Sequence, residues 1–346
     1  MRKRPGTTVV DMRGLLVVNP AATTTTERVR DVLMTALSAD LAVETVITKG
    51  RGHAVELAQR ATETGVDVVI TLGGDGTVNE VANGLLRDGP SPAAPALAVV
   101  PGGSTNVFAR ALGYSASPVE ATGELLAHLR EGHSRLVSLG HARWADQSRW
   151  FTFCAGMGLD AEVVGRVERK RSGGRGNSAG LFLRSGLARY SAGVGRSHPR
   201  ITLDLEPDRR PRPDQTSENA TETQDSDAAA ASRPDREVDV AVVCNTVPWT
   251  YLGHRPLRAC PEASFTTGLD VLGLRRLHLS SLLRVTGQML NSDRGPHGRN
   301  VVLEHDLDVI RLRATPGAPF QVDGEYLGEH EEVVLTSHSQ ALRVIA

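Results

Sequence analysis

Gly73-Gly-Asp-Gly-Thr-Val-Asn-Glu-Val-Ala-Asn-Gly-Leu85 is the stretch from which the rest of this chain can be read. Before it runs Val68-Val-Ile-Thr-Leu72, with the length and β-branched content of a buried strand. Beyond the glycines Val78, Val81, Ala82, Leu85 and Leu86 recur at helical spacing. A strand that turns into a helix through glycines offers unpaired backbone N–H groups and a positive helix end, which suits a phosphate. Asp75, fixed inside that turn, can hold Mg²⁺ or a water on it. The plain structural alternative is a tight turn with Thr77 as N-cap and Glu80 as its capping-box partner.

The same event recurs along the N-terminal part. Leu15-Leu-Val-Val18 runs into Asn19-Pro20, and Ala42-Val-Glu-Thr-Val-Ile47 into Thr48-Lys-Gly-Arg-Gly52. Ala96-Leu-Ala-Val-Val100 runs into Pro101-Gly-Gly-Ser-Thr-Asn106. Helical patterns follow, for example at 53–62 and 107–112. Strands alternating with helices predict an α/β domain with a parallel, doubly wound sheet. Ligands of such sheets sit outside the carboxyl ends of the strands, where all of this glycine-rich, polar material lies. Four such loops at one sheet edge point to a nucleotide. No Walker lysine competes for the role, since the only lysines are Lys3, Lys49 and Lys170.

After about residue 131 the pattern changes. Segments 150–164, 201–205, 238–245, 301–314 and 333–335 read as strands, with helices expected only at 179–190 and 280–290. A run of strands after a βαβ region predicts a second, β-rich domain. Residues 207–236 contain no Val, Ile, Leu, Met or aromatic residue and read as a disordered surface loop. Arg166, Arg169, Lys170, Arg171 and Arg175 crowd a glycine-containing stretch, either as a solvated loop or as a contact with an anionic lipid surface.

Composition sets the class. A chain of 346 residues is expected to form two domains. A net charge of −1 argues against bulk nucleic-acid binding. Cys154, Cys244 and Cys260 are odd in number and scattered, as free thiols in a reducing compartment would be. The eleven histidines never fall in a zinc spacing. Met1-Arg-Lys-Arg-Pro5 is basic, but Thr7-Thr-Val-Val10 is too short for a signal core, and no apolar stretch approaches a membrane span. A cytoplasmic location follows as the expectation.

Gly-Gly-Asp-Gly-Thr-x-Asn-Glu-x-x-Asn-Gly resembles the signature of the bacterial diacylglycerol kinase and sphingosine kinase family of lipid kinases. Further resemblances follow in order: Asn19-Pro20, Thr48 with His53-Ala54, Pro101-Gly-Gly-Ser-Thr-Asn106, Phe153-Cys-Ala-Gly-Met-Gly-Leu-Asp-Ala161 and Val322-Asp-Gly-Glu325. The resemblance implies a nucleotide-binding domain of the NAD kinase and phosphofructokinase kind over 12–132. It implies a β-sandwich lipid-substrate domain over 133–331, and a tail, 332–346, that returns to the first domain. It implies ATP held by Asn19, Pro20, Thr48, Gly73, Gly74, Asp75, Gly76, Thr77, Asn79, Glu80, Gly103, Ser104, Thr105 and Asn106. Mg²⁺ would sit at Asp75.

Phosphoryl transfer to an alcohol also needs a base for the hydroxyl. Asp323-Gly-Glu325 presents two carboxylates, although Asp-Gly alone reads as a hairpin turn. The resemblance implies that Glu325 accepts the proton, with Asp323 beside it; Asp75 is the rival base. By analogy Asp160 contacts the lipid head group, unless it is an ordinary carboxylate at a strand end. One departure concerns a secondary Mg²⁺: the resemblance would place a carboxylate at Thr266 or Thr267, and Ser264-Phe-Thr-Thr-Gly-Leu269 offers none, while Asp270 holds a different place in the motif. The implied activity is transfer of the ATP γ-phosphate to a lipid hydroxyl, with diacylglycerol as the first substrate to test. Other lipids (a sphingoid base, phosphatidylglycerol), NAD, or a catalytically idle nucleotide sensor are the alternatives. Partners implied are the lipid and a transient contact with the inner membrane surface, with no nucleic acid and room for a homodimer.

Overall fold

The computed structural model describes residues 12–22, 27–159, 161, 199–207, 236–291 and 294–346. Four strands, β1 (Arg13–Val18), β2 (Ala42–Ile47), β3 (Val68–Gly73) and β4 (Ala96–Pro101), pair in parallel in the order β4-β3-β1-β2. Helices α1 (Glu27–Asp40), α2 (His53–Glu63), α3 (Asp75–Leu85), α4 (Val107–Ala111) and α5 (Pro118–Glu131) connect and flank them. Every residue of β3 and β4 is buried, which is why both read as unbroken apolar runs rather than alternating ones. The helical spacing in α3 is a packing face: Val78, Val81, Ala82 and Leu85 are all buried against that sheet. Gly84 lets α3 and α2 approach closely, because a Cβ there would lie 2.4 Å from the Val55 carbonyl oxygen.

The remaining strands are β5 (Arg135–Trp144), β6 (Gln147–Phe151), β7 (Cys154–Gly158), β8 (Ile201–Pro207), β9 (Glu237–Val238), β10 (Val240–Cys244), β11 (Thr250–Leu252), β12 (Arg255–Leu257), β13 (Leu269–Leu274), β14 (Val301–Val322) and β15 (Glu325–Val344). Between β13 and β14 stands one helix, α6 (Leu279–Asn291), where a helix was expected. The β-rich half is built around β14. Its first part pairs with β13 and its last with β7, while β10 joins β13 to β7, so these pairings close a ring. A second core fills it, including Met157, Leu203, Val243, Val271, Ile310 and Phe320.

Three sequence expectations change here. The strand expected to end at 314 continues through Pro316 to Val322, because the ladder to β15 absorbs Thr315-Pro-Gly317 as a bulge between Arg313 and Ala318. The single strand expected at 150–164 is broken at Thr152 and Phe153, whose N–H groups bind the Asp323 carboxylate instead of a neighbouring strand. Segment 333–335 is the middle of a 20-residue strand. The far end of that strand pairs Val344 in parallel with Leu97 of β4, and Ile345 donates to the Leu97 carbonyl at 2.9 Å. Tyr114 adds a 2.6 Å hydrogen bond to the Ile345 carbonyl. The chain's last strand is thus an element of the first sheet.

Cys154, Cys244 and Cys260 are free and buried. Among the described residues no helix is long and apolar enough to cross a membrane. The expected helix at 179–190, the 166–175 basic cluster, Asp160 and nearly all of the 207–236 insertion lie outside the described residues.

Candidate active site

The strand order reverses direction at β1, between β2 and β3, and such a switch point opens a crevice at the carboxyl ends of the strands. Here the crevice is a cavity of about 560 Å³. Its walls include Asn19, Pro20, Thr48, Gly74, Asp75, Gly76, Thr77, Gly103, Ser104 and Thr105 from the N-terminal loops, and Asp323 and Glu325 from the β14–β15 turn. Residues at opposite ends of the sequence therefore share one cleft.

Glycine is required where two of the loops meet. A Cβ on Gly103 would lie 2.7 Å from the Gly74 Cα, and the Gly102 N–H donates to the Gly73 carbonyl at 2.7 Å. A Cβ on Gly73 would fall 2.7 Å from the Thr77 hydroxyl. Asn106, with φ of 50°, folds its amide back on Gly103, accepting from its N–H at 2.8 Å and donating to its carbonyl at 2.7 Å. Gly73 and Asn106 thus shape the wall without lining it. Asn19 donates to the Thr77 hydroxyl at 3.0 Å, which ties the first loop to the first turn of α3.

The capping-box alternative does not hold. The N-cap of α3 is Gly74 and no side chain caps it, so that helix end faces the cavity open. Glu80 reaches the neighbouring helix instead, accepting from the N–H groups of Gly52 (3.0 Å) and Ala54 (3.2 Å) at the start of α2. Thr77, inside the helix, is the acceptor for Asn19.

Asn79 borders the cavity, but its amide is engaged by protein partners. Its amide nitrogen donates to the Trp150 carbonyl at 2.9 Å and to Asp323 at 2.7 Å, while its oxygen accepts from Arg149 Nε at 2.8 Å. Asn83, one turn later, bonds both backbone groups of Trp150, donating to its carbonyl at 3.0 Å and accepting from its N–H at 2.9 Å. The two asparagines of the motif fasten α3 to β6. Asn79 and Glu80, expected among the nucleotide contacts, border the cavity but hold its walls.

The carboxylates divide by environment. Asp323, 8 % exposed, accepts five hydrogen bonds: from the N–H groups of Thr152, Phe153 and Cys154, the Thr152 hydroxyl and Asn79. Burial pushes its pKa up and those donors oppose the rise. These five bonds organise the break between β6 and β7 while Asp323 still borders the cavity. Glu325 is different: its two oxygens meet the guanidinium groups of Arg51 (3.2 Å) and Arg149 (2.7 Å), and it remains 19 % exposed. Arg149 thereby bridges Glu325 to Asn79.

Asp75 stands at the N-terminus of α3 and accepts from the Phe108 N–H at 3.1 Å, at the start of α4. Burial, opposed by these backbone donors and reinforced by Asp323, pushes its pKa up to about 6. A carboxylate made costly to ionise by its surroundings, facing a cavity, is compensated by a cation arriving with a ligand. Mg²⁺ commonly binds through one carboxylate, waters and substrate phosphates, so Asp75 and the open end of α3 fit an Mg²⁺–nucleotide.

At the departure noted in the sequence, Ser264, Thr266 and Thr267 hydrogen-bond one another. Asp270 is buried against His305 at 2.7 Å and accepts from the Asp306 N–H. Sequence reasoning singled out neither Arg149, Arg51 nor Asn83. Asn83 was visible four residues after Asn79, whereas a lone arginine in a short strand carries no signal.

Residues 13–142 match the family model of the diacylglycerol kinase catalytic domain. A diacylglycerol kinase of Staphylococcus saprophyticus is 34% identical over 133 residues, 38% of this chain and 40% of that protein. A diacylglycerol kinase of Bacillus subtilis (strain 168) is 26% identical over 80% of this chain and 77% of its own length. The crystal structure of a diacylglycerol kinase from Bacillus anthracis str. Sterne superposes with a TM-score of 0.62 at 19% identity, covering 96% of each chain, a likeness of fold. The match to the diacylglycerol kinase catalytic domain is confined to residues 13–142, and the chain spans less than half the length of several of the curated relatives that it matches.

Proposed function

We propose that this protein is a lipid kinase that transfers the γ-phosphate of ATP to a lipid hydroxyl, with diacylglycerol as substrate. The observation that carries the reading is the placement of Glu325 in the same cavity as Asp75 and the glycine loops. A phosphate-binding edge and an acceptor-side carboxylate are what in-line transfer to an alcohol requires. In this reading residues 12–132 bind the nucleotide, and residues 133–331 bring the acceptor and its base, working at a membrane surface.

The Gly74 and Gly103 loops and the open end of α3 would hold the phosphates, and Asp75 would hold Mg²⁺. When bound, Mg²⁺ neutralises phosphate charge. Glu325 would take the acceptor hydroxyl proton on one carboxylate oxygen, which requires Arg51 or Arg149 to yield its place. Arg149 would orient that carboxylate, and Asp323 would fix the turn that presents it.

The test is incubation with labelled ATP and a panel of mixed lipid micelles. ATP turnover that rises only with added diacylglycerol, yielding labelled phosphatidic acid, is the expected result. Turnover on NAD, or nucleotide binding with no transfer to any lipid, would overturn the reading.

A further inference from the structure

The outer side of α6 carries a feature that the cleft does not use. Its inner residues Val285 and Met289 are buried in an apolar layer with Val240, Leu272 and Trp249, the last of which borders the cavity. On the other side Leu279 and Leu283, one turn apart, are 37% and 57% exposed. Leu303, also 36% exposed, pairs with Leu272 in the ladder and so stands on the sheet face that α6 covers. The loop after α6 lies along it, with Gln288 contacting His297 and the Arg284 guanidinium over Gly298.

Charge is segregated here. Residues 275–303 contain five arginines (Arg275, Arg276, Arg284, Arg294 and Arg299) and a single acid, Asp293, in a chain whose net charge is −1. Arg276, Arg284 and Arg299 are exposed and make no ion pair among the described residues. Exposed leucines flanked by unpaired arginines suit an anionic bilayer, where side chains enter the acyl boundary and guanidinium groups meet phosphates. A protein partner would favour aromatic anchors, and residues 275–303 contain no Phe, Tyr or Trp.

We infer that the outer face of α6, with Leu279, Leu283, Arg276, Arg284 and Arg299, docks the protein on an anionic lipid bilayer. The inference rests on the lipid-kinase reading for its purpose but is tested apart from it. Sedimentation of the full chain, without nucleotide, is measured with phosphatidylcholine vesicles with and without phosphatidylglycerol. Binding should require the anionic lipid and weaken as salt rises.

Changing Arg276, Arg284 and Arg299 to Ser should weaken it about 10²-fold. Leu279→Ser with Leu283→Ser should weaken it at least about tenfold. Val119→Ser, at an exposed apolar position elsewhere, should change nothing. All the altered side chains are solvent-facing, and unchanged thermal unfolding confirms intact folds. Wild-type vesicle binding by both sets of variants, or no binding of the wild type to anionic vesicles, would overturn the docking face. Phosphorylation of micellar lipid would still stand in that event, and binding through α6 with no kinase activity would sink only the enzymatic reading.

Discussion

Asn79 donates its amide N–H to the Asp323 carboxylate at 2.7 Å, across 244 residues of sequence. The asparagine of the glycine motif and the aspartate of the closing Asp-Gly-Glu are one structural joint. It fastens the first helix after the phosphate-type turn to the hairpin that carries Glu325. The cleft therefore depends on a buried polar junction in which every Asp323 bond has a named donor.

Removing the hub of that junction should cost stability. Asp323→Ala leaves the N–H groups of Thr152, Phe153 and Cys154 and the Asn79 amide without their acceptor. A loss of ~3 kcal/mol or more is expected, because buried donors left unpaired carry their full desolvation cost. Denaturant unfolding measures it. A variant with wild-type stability and no turnover would instead return Asp323 to the chemistry.

Glu325 should behave in the opposite way. Glu325→Gln keeps the shape of a partly exposed side chain and removes its capacity to take a proton. The expected loss in kcat is roughly 10²–10⁴-fold, the scale of general-base catalysis, with unfolding and nucleotide affinity little changed. Steady-state rates beside a nucleotide-binding isotherm would show it, and near-normal kcat would leave the turn as a hairpin and nothing more.

Arg149 joins the two assignments. Its guanidinium donates through Nε to Asn79 and through Nη2 to Glu325, a fork that lysine cannot reproduce. Arg149→Lys should lower kcat on the order of 10-fold, with the KM for ATP unchanged, since misplacement of the base affects the chemical step. An equal rise in the KM for ATP would show that Arg149 serves the nucleotide.

The parallel half was legible because its periodicities are local: the buried apolar runs of β1, β3 and β4 each end in glycine, proline or asparagine, and α3 carries a full stripe of core residues. The β-rich half was less so. Its strands are decided by partners far along the chain, and Thr315-Pro-Gly317 looks like a loop until β15 pairs on either side of it. The site divides similarly. Turn glycines announce themselves by type, and all but two of the expected nucleotide residues line the cleft. Hydrogen-bond partners do not: nothing in the sequence near Asn79, Glu80 or Asp323 says that each is committed to another element.

Asp75 should show function and stability in conflict. Its pKa, pushed up to about 6 mainly by burial, means that the folded state binds a proton more readily than the unfolded chain. Ionised Asp75 therefore costs stability: the penalty is absent below about pH 4, grows between pH 4 and 6, and is complete above 6. Asp75→Asn removes the charge while its amide oxygen can still accept from the Phe108 N–H. Without Mg²⁺ or nucleotide, the variant should be more stable than the wild type at pH 7.5 by about 1–2 kcal/mol, allowing for the solvent that reaches the side chain from the cavity. The gain should vanish below pH 4. Activity should move the other way, falling on the order of 10²-fold or more for loss of a strong electrostatic stabiliser. In the wild type, kcat/KM for ATP should drop as pH falls through about 6, where the free enzyme protonates Asp75. Thermal unfolding across pH, paired with initial rates, tests both halves. A variant less stable than the wild type at pH 7.5 would show that the carboxylate's bonds outweigh its burial, and near-normal turnover in saturating Mg²⁺ would remove Asp75 from the reaction.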